Sequence, residues 1–349
     1  MVARAIRPSK DKLYAQAQAA IEDLRCDVDF FQRYQYIAEL PSTFEPESDE
    51  AVLRAVCRFL LGLNADHSAW VYGVDHDRRL VYVVASGGPL GRPAVEHLTI
   101  GAATTMGGCV QHATARLIVD CTAEQGYPRS DEEPTTGSVI CVPIVADATC
   151  AGAILYHAQT SGSFASRDLE QLRSLATVAG VTISAIRQRK HAEWLATHDE
   201  LTTLLNRRGV ESECERIEAA DGEVRVVLFM DIDKFKAINS SHLHAGADQV
   251  LREVALRFQT ACGASATVGR WGGDEMIAIV SLAEANAVRM AEQIVESFRS
   301  APTVGGTITV TIGGTIWKAG ESLLVAANRA DTAMMRGKEA GRDRAEFET

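Results

Sequence analysis

Val224-Arg225-Val226-Val227-Leu228-Phe229-Met230 is an almost unbroken apolar run that stops abruptly at Asp231-Ile232-Asp233. The run predicts a strand buried on both faces, and the carboxylates at its end put negative charge at a sheet edge where a cation must compensate it. Ala266-Thr267-Val268 and Met276-Ile277-Ala278-Ile279-Val280 bracket Gly269-Arg270-Trp271-Gly272-Gly273-Asp274-Glu275, which predicts a hairpin with a glycine pair at its tip. Alone, Gly-Gly-Asp-Glu is an ordinary turn composition. Strand end and hairpin tip together could bring three carboxylates to one edge, the few hard oxygen ligands that Mg²⁺ takes while leaving its other positions to water and phosphate. Two such ions about 4 Å apart could activate a ribose hydroxyl and neutralise the phosphate it attacks. Phosphate-facing cations should then lie nearby. The candidates are Lys236 and the pair Lys338 and Arg342, which share a helix face if the last helix reaches them, although Gly341 suggests a cap instead.

Working outward, further strands are expected at 266–268, 276–280 and 307–312, alternating with helices near 208–218, 245–260, 283–300 and 321–340. This second half reads as α/β. Before it, apolar residues Leu172, Leu175, Ala179, Ile183 and Ile186 line one stripe of a helix expected over 167–198. Their near-heptad spacing suits either a parallel dimer or a helix packed on its own sheet. Strands are expected at 69–72, 80–84, 117–119, 138–144 and 151–157, after an amphipathic helix through Val52, Val56, Phe59 and Leu60. An N-terminal helix is expected over 9–39, ending before Pro41.

Length and composition bound the function. The chain has 349 residues, about two domains' worth, and 46% hydrophobic against 23% charged residues is a globular balance. No run of about 18 apolar residues offers a membrane span. The net charge of −11 argues against a long-range hold on nucleic acid, so an anionic ligand must be met locally. The eight cysteines form no CxxC pair and no signal-peptide core is evident, so a reducing cytoplasm is expected, with the thiols as small buried hydrophobes. Nine histidines include no HExxH spacing, and zinc is not expected.

Arg270-Trp271-Gly272-Gly273-Asp274-Glu275 resembles the signature of the GGDEF domain of diguanylate cyclases, which condense two GTP into cyclic di-GMP and release pyrophosphate. Around it, Asp199-Glu200-Leu201-Thr202 with Leu204, Asn206, Arg207 and Arg208 is similar to the family's DxLTGLxNRR. Residues 231–239 are similar to DIDxFKxIN, 309–313 to the TxSxG strand, and 330–342 to ADxALYxAKxxGRN. The resemblance implies that Asp231, the Ile232 carbonyl, Asp274 and Glu275 hold Mg²⁺, or Mn²⁺ in its place. It implies that Asn239 and Asp248 read guanine, and that Lys236, Lys338, Arg342 and backbone amides near Phe235 grip the β- and γ-phosphates. Gly272 and Gly273 leave room for the nucleotide. Asp231, Asp274, Glu275, Lys236 and Arg270 form the expected catalytic set.

The departures are specific. Leu243 and Ala247 stand where the family has glycines, Met276 where it has Phe, and Thr203 where it has Gly. The family's inhibitory RxxD is replaced by Gly263-Ala264-Ser265-Ala266, so no product inhibition is expected there.

The first half resembles a GAF sensor domain through Leu98-Thr99-Ile100-Gly101 with 107–113, Leu117 to Asp120, Ser138 to Ile144, and Gly152 to Leu155. Such domains enclose a small-molecule pocket or serve as dimerisation scaffolds, so a small-molecule or redox signal is implied. Cys109, His112, Cys121 and Cys141 are candidate ligand or redox groups, with core or surface roles as the alternative.

The expected architecture is a multidomain α/β and α+β chain: a helical segment at 1–44, a GAF-like antiparallel sheet with flanking helices at 45–187, a connecting helix at 167–198, and a GGDEF palm-like α/β domain at 199–349. The resemblance implies a cytoplasmic homodimeric diguanylate cyclase regulated by its GAF domain, with no nucleic-acid partner. Alternatives are a silent GTP-binding scaffold or a cyclase making a mixed cyclic dinucleotide.

Overall fold

The computed structural model describes residues 48–77, 79–93, 97–100, 104–123, 136–218, 224–237, 244–304 and 306–348. The expected helix over 9–39, together with Asn239 and Leu243, lies outside them. The chain divides into two compact units between Arg189 and Lys190.

In the first unit, helix α1 (Asp49–Leu63) starts where the Ser48 side chain accepts the Ala51 N–H, with Asp49 and Glu50 in its positive first turn. Strands β1 (His67–Asp75), β2 (Leu80–Gly87), β3 (His97–Thr99), β4 (Arg116–Ile118), β5 (Ser138–Ala146) and β6 (Thr149–Ala158) form an antiparallel sheet in the order β3-β2-β1-β6-β5-β4. Helix α2 (Thr105–His112), capped by Thr104, lies between β3 and β4 in sequence, and helix α3 (Ser166–Thr197) follows β6. Alternation along the strands gives each face its own core. One face packs Val52, Val56 and Leu60 of α1 and the α3 stripe against Val71, Ile140 and Ile154. The other packs Met106, Cys109 and Val110 of α2 against Trp70, Cys141 and Leu155.

Of the two readings of the α3 stripe, packing on the protein's own sheet is the one observed: Leu172, Leu175, Ala179 and Ile183 are each at most 3% exposed within this core. β3 and α2 were not assigned from the sequence: β3 is three residues long, and α2 is eight residues long with Gly107 and Gly108 inside it. Cys109, Cys121 and Cys141 are fully buried, whereas His112 is exposed. Burial pushes the Cys57 and Cys150 thiols up to about 11, which keeps them unreactive near neutral pH.

In the second unit, β7 (Leu205–Asn206), β8 (Arg225–Ile232), β9 (Thr267–Gly272), β10 (Glu275–Val280), β11 (Val310–Trp317) and β12 (Arg344–Phe347) form a sheet ordered β12-β11-β8-β10-β9-β7. β8, β9, β10 and β11 pair antiparallel, while β12 and β7 join parallel at the edges. The helices are α4 (Arg207–Glu218), α5 (His244–Cys262), α6 (Glu284–Ser300) and α7 (Leu323–Glu339). Val226, Leu228, Met230 and Ile232 of β8 face a core completed by Val254 and Phe258 of α5 and Ile294 and Phe298 of α6. Val227 and Phe229 face the opposite core with Val210 of α4 and Ala326, Ala330 and Met334 of α7.

The strand expected at 307–312 instead runs Val310–Trp317, straight through Gly313 and Gly314. A Cβ at Gly313 would sit 1.9 Å from the Ala330 carbonyl oxygen and 2.4 Å from the Met334 nitrogen, so this glycine marks where α7 lies directly on the sheet. Helix α7 ends at Glu339. Arg342 therefore does not share a helix face with Lys338; it follows Gly341 with a left-handed φ of 65°.

Candidate active site

Register places the carboxylates. Asp231 of β8 is the direct cross-strand partner of Glu275 on β10 and of Thr311 on β11. Directly opposed residues of an antiparallel pair project from the same face, here the face covered by α7. Gly273 takes the left-handed φ of 54° that the tight turn between β9 and β10 requires, leaving Asp274 in the turn and Glu275 at the start of β10. At Gly272 and Gly273 an added Cβ would meet no protein atom within 4 Å, so the turn borders open space.

Close seating of α7 at Gly313 brings Lys338 to this edge. Its Nζ stands 2.8 Å from Asp231 Oδ2, with both side chains less than one-fifth exposed. Burial nevertheless holds the Asp231 carboxyl above its usual range; the charges of Asp274 and Asp233 add to this and Lys338 opposes it. Burial likewise raises Glu275, reinforced by Asp331, Asp231 and Asp274. The edge thus carries mutually repelling carboxylates that one ammonium leaves under-compensated.

Among the described residues no three His, Cys, Asp or Glu side chains converge as a closed metal cage. Mg²⁺ does not require one, since it is commonly held by one or two carboxylates with water and substrate phosphates completing its shell. The opposed pair Asp231 and Glu275, with Asp274 adjacent and open space beside the turn, has the donor chemistry for that mode.

Arg270, expected in the catalytic set, turns its guanidinium toward Asp199, with Nη1 3.1 and 3.0 Å from the two carboxylate oxygens, while its Nε donates to the Gly273 carbonyl at 2.9 Å. Lys236 is exposed, and Phe235 packs partly against the α5/α6 core. Asp248 is exposed near the start of α5. Ala247 is 3% exposed and Met276 fully buried, so both substitutions fall in the core. Thr203 adopts φ 59°, which explains why glycine suits that position in the family it resembles. Two residues were given no role from the sequence. Asp331 charges the Glu275 environment from α7, and Asp233 is buried among hydroxyl donors. Asp331 was visible within the 330–342 motif, and Asp233 at the acidic end of the apolar run, two positions after Asp231; the partners of neither were.

The end of the sheet where β8 meets the β9–β10 turn thus carries the glycine turn and the acidic residues on which the resemblance to GGDEF domains rests. Residues 196–344 match the family described as "Diguanylate cyclase, GGDEF domain", and residues 47–184 match the GAF domain family. The chain is a GAF domain followed by a GGDEF domain. An uncharacterized protein of Mycobacterium tuberculosis is 30% identical over 288 residues, covering 77% of this chain and 46% of that protein. The diguanylate cyclase VdcA of Vibrio cholerae is 33% identical over 161 residues, covering 43% of this chain and 46% of VdcA. The crystal structure of the coiled coil and GGDEF domain of DgcB from Caulobacter crescentus in complex with c-di-GMP is 30% identical, with a TM-score of 0.43, covering 50% of this chain and 98% of that one. The chain spans less than half the length of these two curated relatives. Among the described residues no helix is long and apolar enough to cross a membrane.

Proposed function

We propose that this chain is a diguanylate cyclase, joining two GTP into cyclic di-GMP with release of two pyrophosphates. The observation that carries the reading is the opposition of Asp231 and Glu275 across β8 and β10, with Lys338 on the Asp231 carboxylate and open space beside Gly272 and Gly273. In this reading Asp231, the Ile232 carbonyl, Asp274 and Glu275 hold Mg²⁺, for which Mn²⁺ can substitute. Bound there, the ion supplies Lewis acidity at the phosphates.

The chain's own groups do the rest. Asp248 and Asn239 accept and donate along the guanine edge, a pattern that adenine cannot meet. Lys236, Lys338, Arg342 and the amides near Phe235 hold the β- and γ-phosphates. Glu275 takes the proton of the 3′-hydroxyl. The freed oxygen forms a bond to the α-phosphorus of the facing GTP as the bond to the pyrophosphate oxygen breaks. Arg270 acts by fixing the turn that carries Gly273. Two such transfers close the ring, and each half-site holds one GTP, so the active form is a homodimer with its catalytic domains face to face. The GAF domain sets how often they meet in response to a small-molecule or redox signal, and α3 conveys its state. The protein acts in the cytoplasm. Absence of the RxxD pair at 263–266 leaves no inhibition by product at that position.

Purified protein incubated with Mg²⁺ and GTP, with and without ATP, followed by chromatography, tests the reading. Cyclic di-GMP as the sole dinucleotide supports it. Bound GTP without product makes the chain a silent scaffold, and a mixed product makes it a different cyclase.

A further inference from the structure

Asp233 is the first residue after β8, two positions beyond Asp231, and faces other partners. It is 6% exposed. Its Oδ2 accepts from the Thr309 hydroxyl at 2.7 Å and from the Asp343 backbone N–H at 3.0 Å, and its Oδ1 accepts from the Thr311 hydroxyl at 2.7 Å. The Thr311 oxygen in turn accepts from the Asp343 N–H at 3.2 Å. One buried carboxylate therefore ties the end of β8 to β11 and to the turn after α7.

That turn is costly to hold. Arg342 and Asp343 are consecutive non-glycine residues in the left-handed region, with φ 65° and 52°. Each is restrained from a different side. The Arg342 N–H donates to the Gly337 carbonyl at 3.0 Å. The Asp343 N–H is clamped by Asp233, while Arg299 takes the Asp343 carboxylate at 2.8 Å and its carbonyl at 2.5 Å. Backbone in this region persists only where its surroundings over-determine it, and such places are drawn toward binding sites. The residue whose side chain leaves the chain at this turn is Arg342, four positions after the Lys338 that pairs with Asp231.

We propose that Asp233 is a positioning residue for triphosphate binding: its carboxylate locks the 342–343 turn and so fixes the direction in which the Arg342 guanidinium is presented to the phosphates. The inference rests on the reading of Arg342 as a phosphate contact. A buried carboxylate suits the task because charge-assisted hydrogen bonds are shorter and stronger than those of an amide, and three donors engage both of its oxygens.

The test is equilibrium binding of a non-hydrolysable GTP analogue and of GMP to the full-length protein, for wild type, Asp233→Asn, Thr311→Val, Arg342→Ala and the double variant Asp233→Asn/Arg342→Ala. Asp233→Asn and Thr311→Val should each weaken the analogue about fivefold and leave GMP within about twofold; Arg342→Ala should weaken it about tenfold, and the double variant no further. An equal loss for GMP, or a full additional loss from Asp233→Asn when Arg342 is absent, overturns the proposal. So does unchanged analogue binding in Asp233→Asn and Thr311→Val alongside a weakened Arg342→Ala. Unchanged binding in Arg342→Ala instead removes the phosphate assignment on which the inference stands. Should Asp233→Asn fail to fold, as its circular dichroism would reveal, Thr311→Val carries the comparison, since it removes one hydroxyl and leaves the carboxylate in place.

Discussion

Arg270 bridges Asp199, the first acidic residue after the end of α3, to the Gly273 carbonyl of the glycine turn, using hydrogen bonds of 3.0, 3.1 and 2.9 Å. Asp199 is fixed in its own right, accepting from the Thr202 N–H and hydroxyl at 2.9 and 2.7 Å. Burial alone would raise the Asp199 carboxyl, but the Thr202 and Arg270 contacts outweigh it and hold it low. Only a planar fork satisfies both partners at once, and a lysine ammonium does not. Arg270→Lys should therefore lower dinucleotide synthesis about tenfold while costing about 1–2 kcal/mol in denaturant unfolding. Unchanged turnover in a destabilised variant would make the bridge purely structural.

Gly313 and Gly272 should separate packing from binding. A methyl group at Gly313 collides with backbone of α7 and must push the helix, and Lys338 with it, away from Asp231; Gly313→Ala should cost about 2–3 kcal/mol. A methyl group at Gly272 meets nothing in the protein. Gly272→Ala should keep wild-type stability and lose GTP affinity. Thermal unfolding and nucleotide titration of the two variants check the contrast.

Thr203 holds a left-handed φ of 59° despite its branched Cβ. Relief of that strain, about 1–2 kcal/mol, exceeds the extra unfolded-state entropy of glycine, about 0.5–1 kcal/mol. Thr203→Gly should raise stability by about 0.5–1 kcal/mol, read as a higher denaturant midpoint at unchanged slope.

Arg329 joins Glu321 at 2.6 and 2.9 Å, pairs also with Glu348, and donates to the Ile316 carbonyl at 2.6 Å. At Glu321 burial pushes upward, but Arg329 and the Lys318 N–H prevail and the carboxyl sits low; at Glu348 the Thr315 hydroxyl, then Arg329, has the same effect. A carboxyl with a depressed folded-state value stabilises above its unfolded value and loses that contribution as pH falls through the folded one. The unfolding midpoint of wild type should thus exceed that of Arg329→Met near neutral pH, and the gap should close below about pH 4.5, the ordinary Glu range. A gap that stays constant down to pH 3 would mean that these pairs contribute nothing through charge.

Much of this was legible in the order of residues. β8 declared itself because both its faces are buried, so the apolar run is unbroken and its acidic end conspicuous. The glycine turn was equally plain from composition. What stayed hidden depends on partners distant in the chain. Arg270 meets Asp199 across 71 positions, and Asp233 meets Thr309, Thr311 and the Asp343 N–H across 76, 78 and 110. No local pattern encodes such meetings. β12 is four residues long and is held by backbone pairing to β11, which leaves no periodicity to read. The stripe on α3 was ambiguous for another reason: near-heptad apolar spacing serves a second helix and a sheet equally well, and only packing decides.

In the proposed reaction the opposed carboxylates Asp231 and Glu275 serve nucleotidyl transfer. Initial rates of cyclic di-GMP formation from Mg²⁺ and GTP, measured for wild type and for Glu275→Gln at matched folded concentration, test that most directly. Synthesis by wild type and a fall of at least about 100-fold in Glu275→Gln is the predicted result, the scale of a lost proton acceptor at the reacting centre. Equal rates in both proteins would contradict it.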